Sequence, residues 1–158
     1  MQDMEQRVQA YWTKRARDFS TVRRNELHDG AMGRRWLAEM QQYLPQGKAL
    51  DILDVGTGTG YFAILLAQAG HRLTGIDLTP AMIAEAEATA AAMNVSARFL
   101  VMDAMETAFA DASFDVIVTR NLTWTLPDTE QAYREWRRLL RPGGVTLEQL
   151  REVLGEVG

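Results

Sequence analysis

The sequence predicts an α/β fold, a doubly wound and mostly parallel sheet sandwiched by helices, and two observations predict it. Short apolar runs rich in branched residues alternate with helical stretches, and the runs are apolar on both faces, as in strands covered on both sides. The first run closes on a glycine-rich loop, Asp54-Val-Gly-Thr-Gly-Thr-Gly60, which opens directly into a helix. Right-handed crossovers between such strands give a doubly wound sandwich, with its ligand crevice at the carboxyl ends of the strands.

Residues 4–19 carry Val8, Tyr11, Trp12, Arg15 and Phe19 at three- and four-residue spacing, an amphipathic helical pattern. A second helix is expected from about Gly30 to Tyr43, stopped before Pro45. Ala49–Val55 reads as a buried strand. Tyr61–Ala69 is almost wholly apolar and ends at Gly70, a buried helix with a glycine just past its end. His71–Ile76 is the second strand. Thr79 and Pro80 then supply a cap and a first-turn proline for a helix carrying Ile83, Ala86, Ala90 and Met93. Ala97–Met102 and Phe114–Thr119 are the third and fourth strands. Asp128 with Gln131 opens another helix, which Pro142-Gly143-Gly144 ends.

The chain's 158 residues suffice for one hydrophobic core, and it is expected to form a single domain. Within it, 1–45 form a helical cap, 46–144 a βα core and 145–158 a C-terminal helix. No apolar run approaches the ~20 residues that span a bilayer, and the N-terminus lacks the apolar core of a signal peptide. Membrane association is not expected. The absence of cysteine excludes disulfides, thiolate catalysis and zinc–thiolate sites, and fits a reduced, cytoplasmic setting. No metal site is expected. A net charge of −4 argues against general affinity for nucleic acid. Arg7 to Arg35 nevertheless hold eight basic residues against three acidic ones, either a solvated helix face or a lid that attracts an anionic group.

Polar residues at the strand ends carry the chemistry: Asp54 with the glycine loop, Asp77, Asp103 and Asn121. Alone, each is as readily a turn former as a ligand contact. The loop spacing is Gly56-x-Gly58-x-Gly60, and the slot where a dinucleotide fingerprint places its third glycine holds Tyr61. Alternating glycines let a ligand lie almost on the main chain, and an acid at the loop's start suits a ligand with a cationic end. A carboxylate at Asp77 can accept from the vicinal hydroxyls of a ribose. Asp103 can accept from an exocyclic adenine amine, with Ala104 and Met105 lining the base; for Met105, plain core filling is the competing account.

These segments resemble the class I S-adenosylmethionine (SAM)-dependent methyltransferases, particularly their small-molecule, type 11-like branch. Asp54–Gly60 is similar to the first motif of that family and Gly75-Ile-Asp-Leu-Thr-Pro-Ala-Met82 to its second. Met102-Asp103-Ala104 and Phe114–Asn121 are similar to the third and fourth, and Leu140-Arg-Pro-Gly-Gly144 to the turn before the fifth strand. The likeness runs from residue 8 to about 144. It implies a Rossmann-like sheet and SAM as cofactor, leaving S-adenosylhomocysteine as product, with a small-molecule acceptor. It also implies cofactor contacts from Asp54, Gly56, Thr57, Gly58 and Gly60, then from Asp77, Leu78 and Met82, and from Asp103, Ala104 and Met105. Asn121 would sit beside the sulfonium, and Tyr11 and Arg15 would close over the cofactor.

No catalytic base is assigned, because methyl transfer from a sulfonium is an in-line displacement that depends mainly on alignment. His28 is either a surface residue or a substrate contact from the lid. Trp124 is either a wall for the acceptor or a loop anchor. After Gly144 the Thr146-x-x-Gln149 box and Leu147, Leu150, Val153 and Leu154 read as a helix, where the family continues its sheet. The last strands are therefore expected to be missing or incomplete, leaving strand four at an open edge through which a homodimer can pair. Two alternatives remain: a non-catalytic or partner-dependent SAM-binding module, and a nicotinamide-dependent oxidoreductase, which the glycine spacing disfavours.

Overall fold

The structure, a computed structural model, describes residues 31–119 and 126–147. The helix expected over 4–19 and the segment 148–158 lie outside the described residues. Helix α1 (Ala31–Gln41) contributes Leu37 and Met40 to the core and approaches the next helix closely. A Cβ on Gly33 would stand 2.9 Å from Leu65 Cδ2. Past the helix end, the Gln46 side-chain amide donates to the carbonyls of Gln41 (2.8 Å) and Leu44 (2.9 Å), tying the turn that follows to the last helical residue.

Strand β1 (Asp51–Val55) is followed by α2 (Tyr61–Gln68), whose first six residues are all buried. Gly70, at φ +99, ends it as the pattern predicts: the His71 N–H reaches back to Leu66 and that of Gly70 to Ala67. Strand β2 (Arg72–Asp77) leads into α3 (Pro80–Ala92). Thr79 holds the capping position in extended backbone and Pro80 begins the helix, but the Thr79 side chain makes no cap bond. Strands β3 (Arg98–Val101) and β4 (Phe114–Thr119) follow, then α4 (Thr129–Leu139) and β5 (Leu140–Leu147). Asp128 accepts from the Gln131 N–H at 3.0 Å, so half of the expected box forms. The Gln131 side chain turns elsewhere.

The sheet order is β3-β2-β1-β4-β5, with every neighbouring pair parallel. Consecutive strand residues feed opposite faces. Ile52, Leu73, Val116 and Val118 pack with α1, α2 and α3, while Leu53, Val55, Ile76 and Ile117 pack with Ala132, Trp136 and Leu139 of α4. The chain winds outward from β1 to β3 and then returns to β4. The strand order therefore reverses between β1 and β4, and a crevice is expected at their carboxyl ends.

The sequence expectation fails at residue 145. Val145, Thr146 and Leu147 are not the start of a helix; they pair in parallel with Val116, Ile117 and Val118. Val145 and Leu147 also pack against the first core cluster. Burial and a full ladder outweigh a local capping signal, which is the usual way tertiary contact overrides propensity. Strand four is consequently not an edge, and the open-edge basis for a dimer through it is withdrawn. The Pro142-Gly143-Gly144 turn lies within β5, where the ladder steps from Phe114–Leu140 to Val116–Val145. Gly144 has no room for a side chain there, since a Cβ would stand 2.9 Å from the carbonyls of both Arg141 and Asp115.

Two charged clusters fix the frame. At the amino ends of the strands, the Arg141 guanidinium bridges Asp51 (2.7 Å) and Asp115 (3.1 Å), while Arg72 holds the other oxygen of Asp51. Arg72 keeps the Asp51 carboxyl below its ordinary range. In the second cluster, Glu135 of α4 accepts from the Thr107 N–H (2.8 Å) and hydroxyl (2.6 Å) and pairs with Arg138. Arg138 chiefly, with Thr107, holds the Glu135 carboxyl at about 2.

Replacing Arg141 by Met is expected to lower the Tm by about 2–4 °C, a small loss because the pair is partly exposed. The difference should shrink in 1 M salt; a salt-independent loss would contradict an ionic origin. Glu135→Gln is expected to cost about 2 kcal/mol at neutral pH. A lowered carboxyl stabilises above its unfolded value and loses that contribution on acidification, so the gap between wild type and variant should close from about pH 4.5 towards about pH 2. Denaturant titration across that range measures it.

Candidate functional site

The glycine loop leaves β1 at Val55 and folds immediately over the end of β2. The N–H groups of Gly56 and Thr57 both donate to the Ile76 carbonyl, each at 2.9 Å, and the Gly60 N–H closes back on Thr57 O. Gly60 sits at φ +86, a conformation that costs little only for glycine, and a Cβ there would meet Ala86 Cβ at 3.0 Å and the Phe99 ring at 3.2 Å. Thus the loop rests directly on α3 and β3. Gly58, by contrast, has no atom of the described residues within 4 Å of a built Cβ, so among them the loop's crest is open.

Asp54 is the next-to-last residue of β1 and is 4% exposed. Its Oδ2 accepts from the Thr57 hydroxyl at 2.8 Å, so the acid lies beneath the loop and supports it. Asp77, at the carboxyl end of β2, accepts from the Gly58 N–H on Oδ2 (3.0 Å) and from the Thr79 N–H on Oδ1 (2.9 Å). Burial raises its carboxyl above the ordinary value, and the two backbone donors act against that rise. Each carboxylate oxygen has two lone pairs, so these bonds leave acceptor capacity for a ligand's hydroxyls. Leu78 is half-buried beside it, and Met82 on α3 is 3% exposed.

After β3, Asp103 Oδ1 accepts from the Met105 N–H at 2.8 Å, closing a side-chain turn. Ala104 is buried, and its carbonyl accepts from Trp136 Nε1 at 3.1 Å. Met105 is half-buried against the second core cluster, in line with the core-filling account of that residue. The structure therefore brings Asp54, Asp77 and Asp103 to consecutive strand ends around the loop Gly56–Gly60. Tyr11, Arg15, His28, Asn121 and Trp124 lie outside the described residues.

Three features at this rim were not singled out from sequence. Thr119 ends β4 in register with Val55; it is 1% exposed and its Oγ1 has no hydrogen-bond partner among the described residues. The rule that ligands meet the last residues of strands at the order reversal picks it out, once the strand's end is known. Gly75 is required by close approach, because a Cβ would stand 2.6 Å from Thr57 Oγ1. Trp136 and Gln131 reach the loop after β3 from a helix about 30 residues further on, and no local pattern announces that. An open groove of about 730 Å³, lined by residues including His71, Met93 and Arg98, lies at the amino ends of β2 and β3, away from the rim acids. There the Leu50 N–H donates to His71 Nδ1 at 3.1 Å, which ties that histidine to the strand beside it.

Two properties of the rim fit a nucleoside with a charged amino-acid end. Acid oxygens held by neutral backbone donors at Asp77 and Asp103 remain acceptors for hydroxyls and amines. The open crest at Gly58 admits a ligand against the main chain.

Comparison with known proteins agrees with this geometry. A family model described as "Methyltransferase domain" matches residues 52–144. The demethylmenaquinone methyltransferase of Thermus thermophilus is 38% identical over 95 residues, 59% of this chain and 43% of that protein. The ubiquinone/menaquinone biosynthesis C-methyltransferase UbiE of Dinoroseobacter shibae is 37% identical over 149 residues, 87% of this chain and 56% of that protein. The chain thus spans about half the length of these curated relatives. A solved phosphoethanolamine N-methyltransferase of Haemonchus contortus, in complex with phosphomonomethylethanolamine and S-adenosylhomocysteine, superposes with a TM-score of 0.65 at 30% identity. The match covers 71% of this chain and 27% of that one. Since the matched segment runs from β1 to the glycine turn of β5 and contains all three rim acids, the chain belongs to the methyltransferase domain family, among its class I SAM-dependent members.

Proposed function

We propose that this chain binds SAM at the carboxyl ends of β1, β2 and β3 and forms the cofactor half of an enzyme that methylates a small molecule. The observation that carries the reading is the pairing of loop and acid: Asp77 holds the Gly58 N–H while keeping acceptor capacity towards the crevice. The loop Gly56–Gly60 lies along the amino-acid part of the cofactor, with Thr57 bonded to Asp54 below it. Asp54 offsets the cofactor's ammonium charge. Asp77 takes the ribose hydroxyls, with Leu78 and Met82 beside them, and Asp103, Ala104 and Met105 take the adenine. Tyr11, Arg15 and Asn121 are assigned as further cofactor contacts on the family resemblance, and Trp124 and His28 as contacts for the acceptor.

Bound SAM supplies an activated methyl group on a sulfonium. The residues here supply position, which for an in-line displacement can contribute about 7–11 kcal/mol. No proton transfer is assigned to any described side chain. A small-molecule acceptor is supported by the names of the relatives, which act on quinone precursors or phosphorylated amines. We also place the chain as one domain, 1–158, capped by its first 45 residues, working in the reduced cytoplasm. Among the described residues no helix is long and apolar enough to cross a membrane.

Calorimetry with S-adenosylhomocysteine and, separately, NADH tests the reading. Binding of the first alone is expected, while binding of NADH alone would overturn it in favour of an oxidoreductase. Asp77→Asn should weaken S-adenosylhomocysteine by about tenfold or more, through the loss of a charged acceptor. Because burial raises the Asp77 carboxyl, wild-type affinity should fall on acidification at a higher pH than an ordinary aspartate would give. That fall should be absent in Asp77→Asn. An identical pH profile in both proteins would remove Asp77 from the site.

A further inference from the structure

The loop between β3 and β4 carries the proposed base-binding residues, yet it is pinned largely from α4. That helix reaches it with Gln131 and Glu135, an i, i+4 pair on one side, and with Trp136 next to Glu135. Trp136 Nε1 donates to Ala104 O at 3.1 Å, Gln131 Nε2 to Met105 O at 3.3 Å, and Glu135 accepts from the Thr107 N–H at 2.8 Å.

These bonds fall on successive peptide units. The Ala104–Met105 unit is held at its carbonyl by Trp136 and at its N–H by Asp103 Oδ1. The Met105–Glu106 unit is held at its carbonyl by Gln131 and at its N–H by Asp103 O, 3.3 Å away. The Glu106–Thr107 unit is held at its N–H by Glu135. A peptide is planar and rigid, so pinning one end aims the other. The Trp136 bond therefore aims the Met105 N–H, and that N–H aims the carboxylate of Asp103. Packing alone does not require this, because Trp136 is fully buried and a phenyl ring would fill much of the same space without a donor.

We infer that Trp136 and Gln131 are positioning residues that set the protein's choice between a 6-amino and a 6-oxo purine. The inference rests on the reading that the base lies against Asp103–Met105. A carboxylate fixed towards the base accepts from an exocyclic amine and opposes a carbonyl oxygen placed there. A site built for a hydrogen bond discriminates strongly only while its polar groups cannot turn away. When the Ala104–Met105 unit is released, Asp103 can rotate, and both the gain for the amine and the penalty for the carbonyl diminish.

The test compares S-adenosylhomocysteine with S-inosylhomocysteine, by calorimetry, in the full chain and in Trp136→Phe, Gln131→Leu and Arg137→Ala. Wild type is expected to prefer the adenine ligand, and Trp136→Phe to reduce that preference by about fivefold or more. Gln131→Leu should reduce it about two- to threefold, as a longer bond at a half-buried position implies. The exposed control Arg137→Ala should leave the ratio unchanged. Melting temperatures are read alongside, because a merely structural role lowers stability without moving the ratio. If Trp136→Phe does not fold, Gln131→Leu decides the matter. Ratios within about 1.5-fold of wild type in whichever of Trp136→Phe and Gln131→Leu fold overturn the inference. A wild type that binds S-adenosylhomocysteine without preferring it over the inosine analogue overturns the base assignment beneath it, whereas a wild type that binds neither overturns the proposed function itself.

Discussion

The ligand rim depends on one backbone carbonyl, that of Ile76, which accepts from both Gly56 and Thr57. Those two bonds fold the loop over β2 and not away from it. Only then does the Gly58 N–H reach Asp77, and only then does the Thr57 hydroxyl drop onto Asp54. The arrangement leaves no space above Gly75, where a side chain would collide with Thr57. Residues about 20 positions apart are thus conditional on one another. Thr57 occupies the place that Gly75 vacates, and Asp77 is oriented by a loop that β2 itself positions. Buried polar groups of this kind are stable when every member finds its partner, and here the partners are mostly main-chain.

Acids at the two ends of the sheet are held in different ways. At the amino ends, Asp51 and Asp115 face Arg72, Arg141 and Lys48, and their charge is spent on tying β1, β2, β4 and β5 together. At the carboxyl ends, Asp77 and Asp103 accept from backbone N–H groups, and among the described residues no cation pairs with either. Partial positive charge on an N–H orients a carboxylate without neutralising it. The carboxyl rim therefore retains negative potential towards whatever enters, whereas the amino rim is closed on itself. Burial raises the Asp77 carboxyl for the same reason: its charge is only partly compensated within the protein.

Much of this was legible in the sequence, and the reasons are physical. Strands buried on both faces give continuous branched runs, so β1, β2 and β4 announce themselves, and glycines and prolines punctuate the helices between them. The rim acids follow from the strand ends. Residues 145–147 misled, because a three-residue pairing segment has no period of its own and Thr146 with Gln149 imitates a helix start. Only the partner strand β4 decides between the two. The reach of Trp136 to Ala104 spans 32 positions and that of Gln131 to Met105 spans 26. Contacts at such separations leave no trace in spacing, since the fold alone brings them together.

The two core clusters divide the work at the rim. The first, with α2, α3 and Phe99, lies under the glycine loop, where Gly60 touches Ala86 and Phe99. The second, with α4, lies under the loop after β3, which Trp136 and Gln131 hold. Each half of the crevice thus rests on a different side of the sheet, and packing changes on one side reach one half of a ligand before the other. The halves meet where β1 and β4 run side by side, at Val55 and Thr119. Thr119 is buried there, and its hydroxyl has no partner among the described residues, a condition that costs about 1–3 kcal/mol in an interior. Valine has nearly the same shape and would remove that cost. The hydroxyl therefore sets a polar group among apolar neighbours at the point where the order of strands reverses, a place where a ligand's polar atom can pair with it.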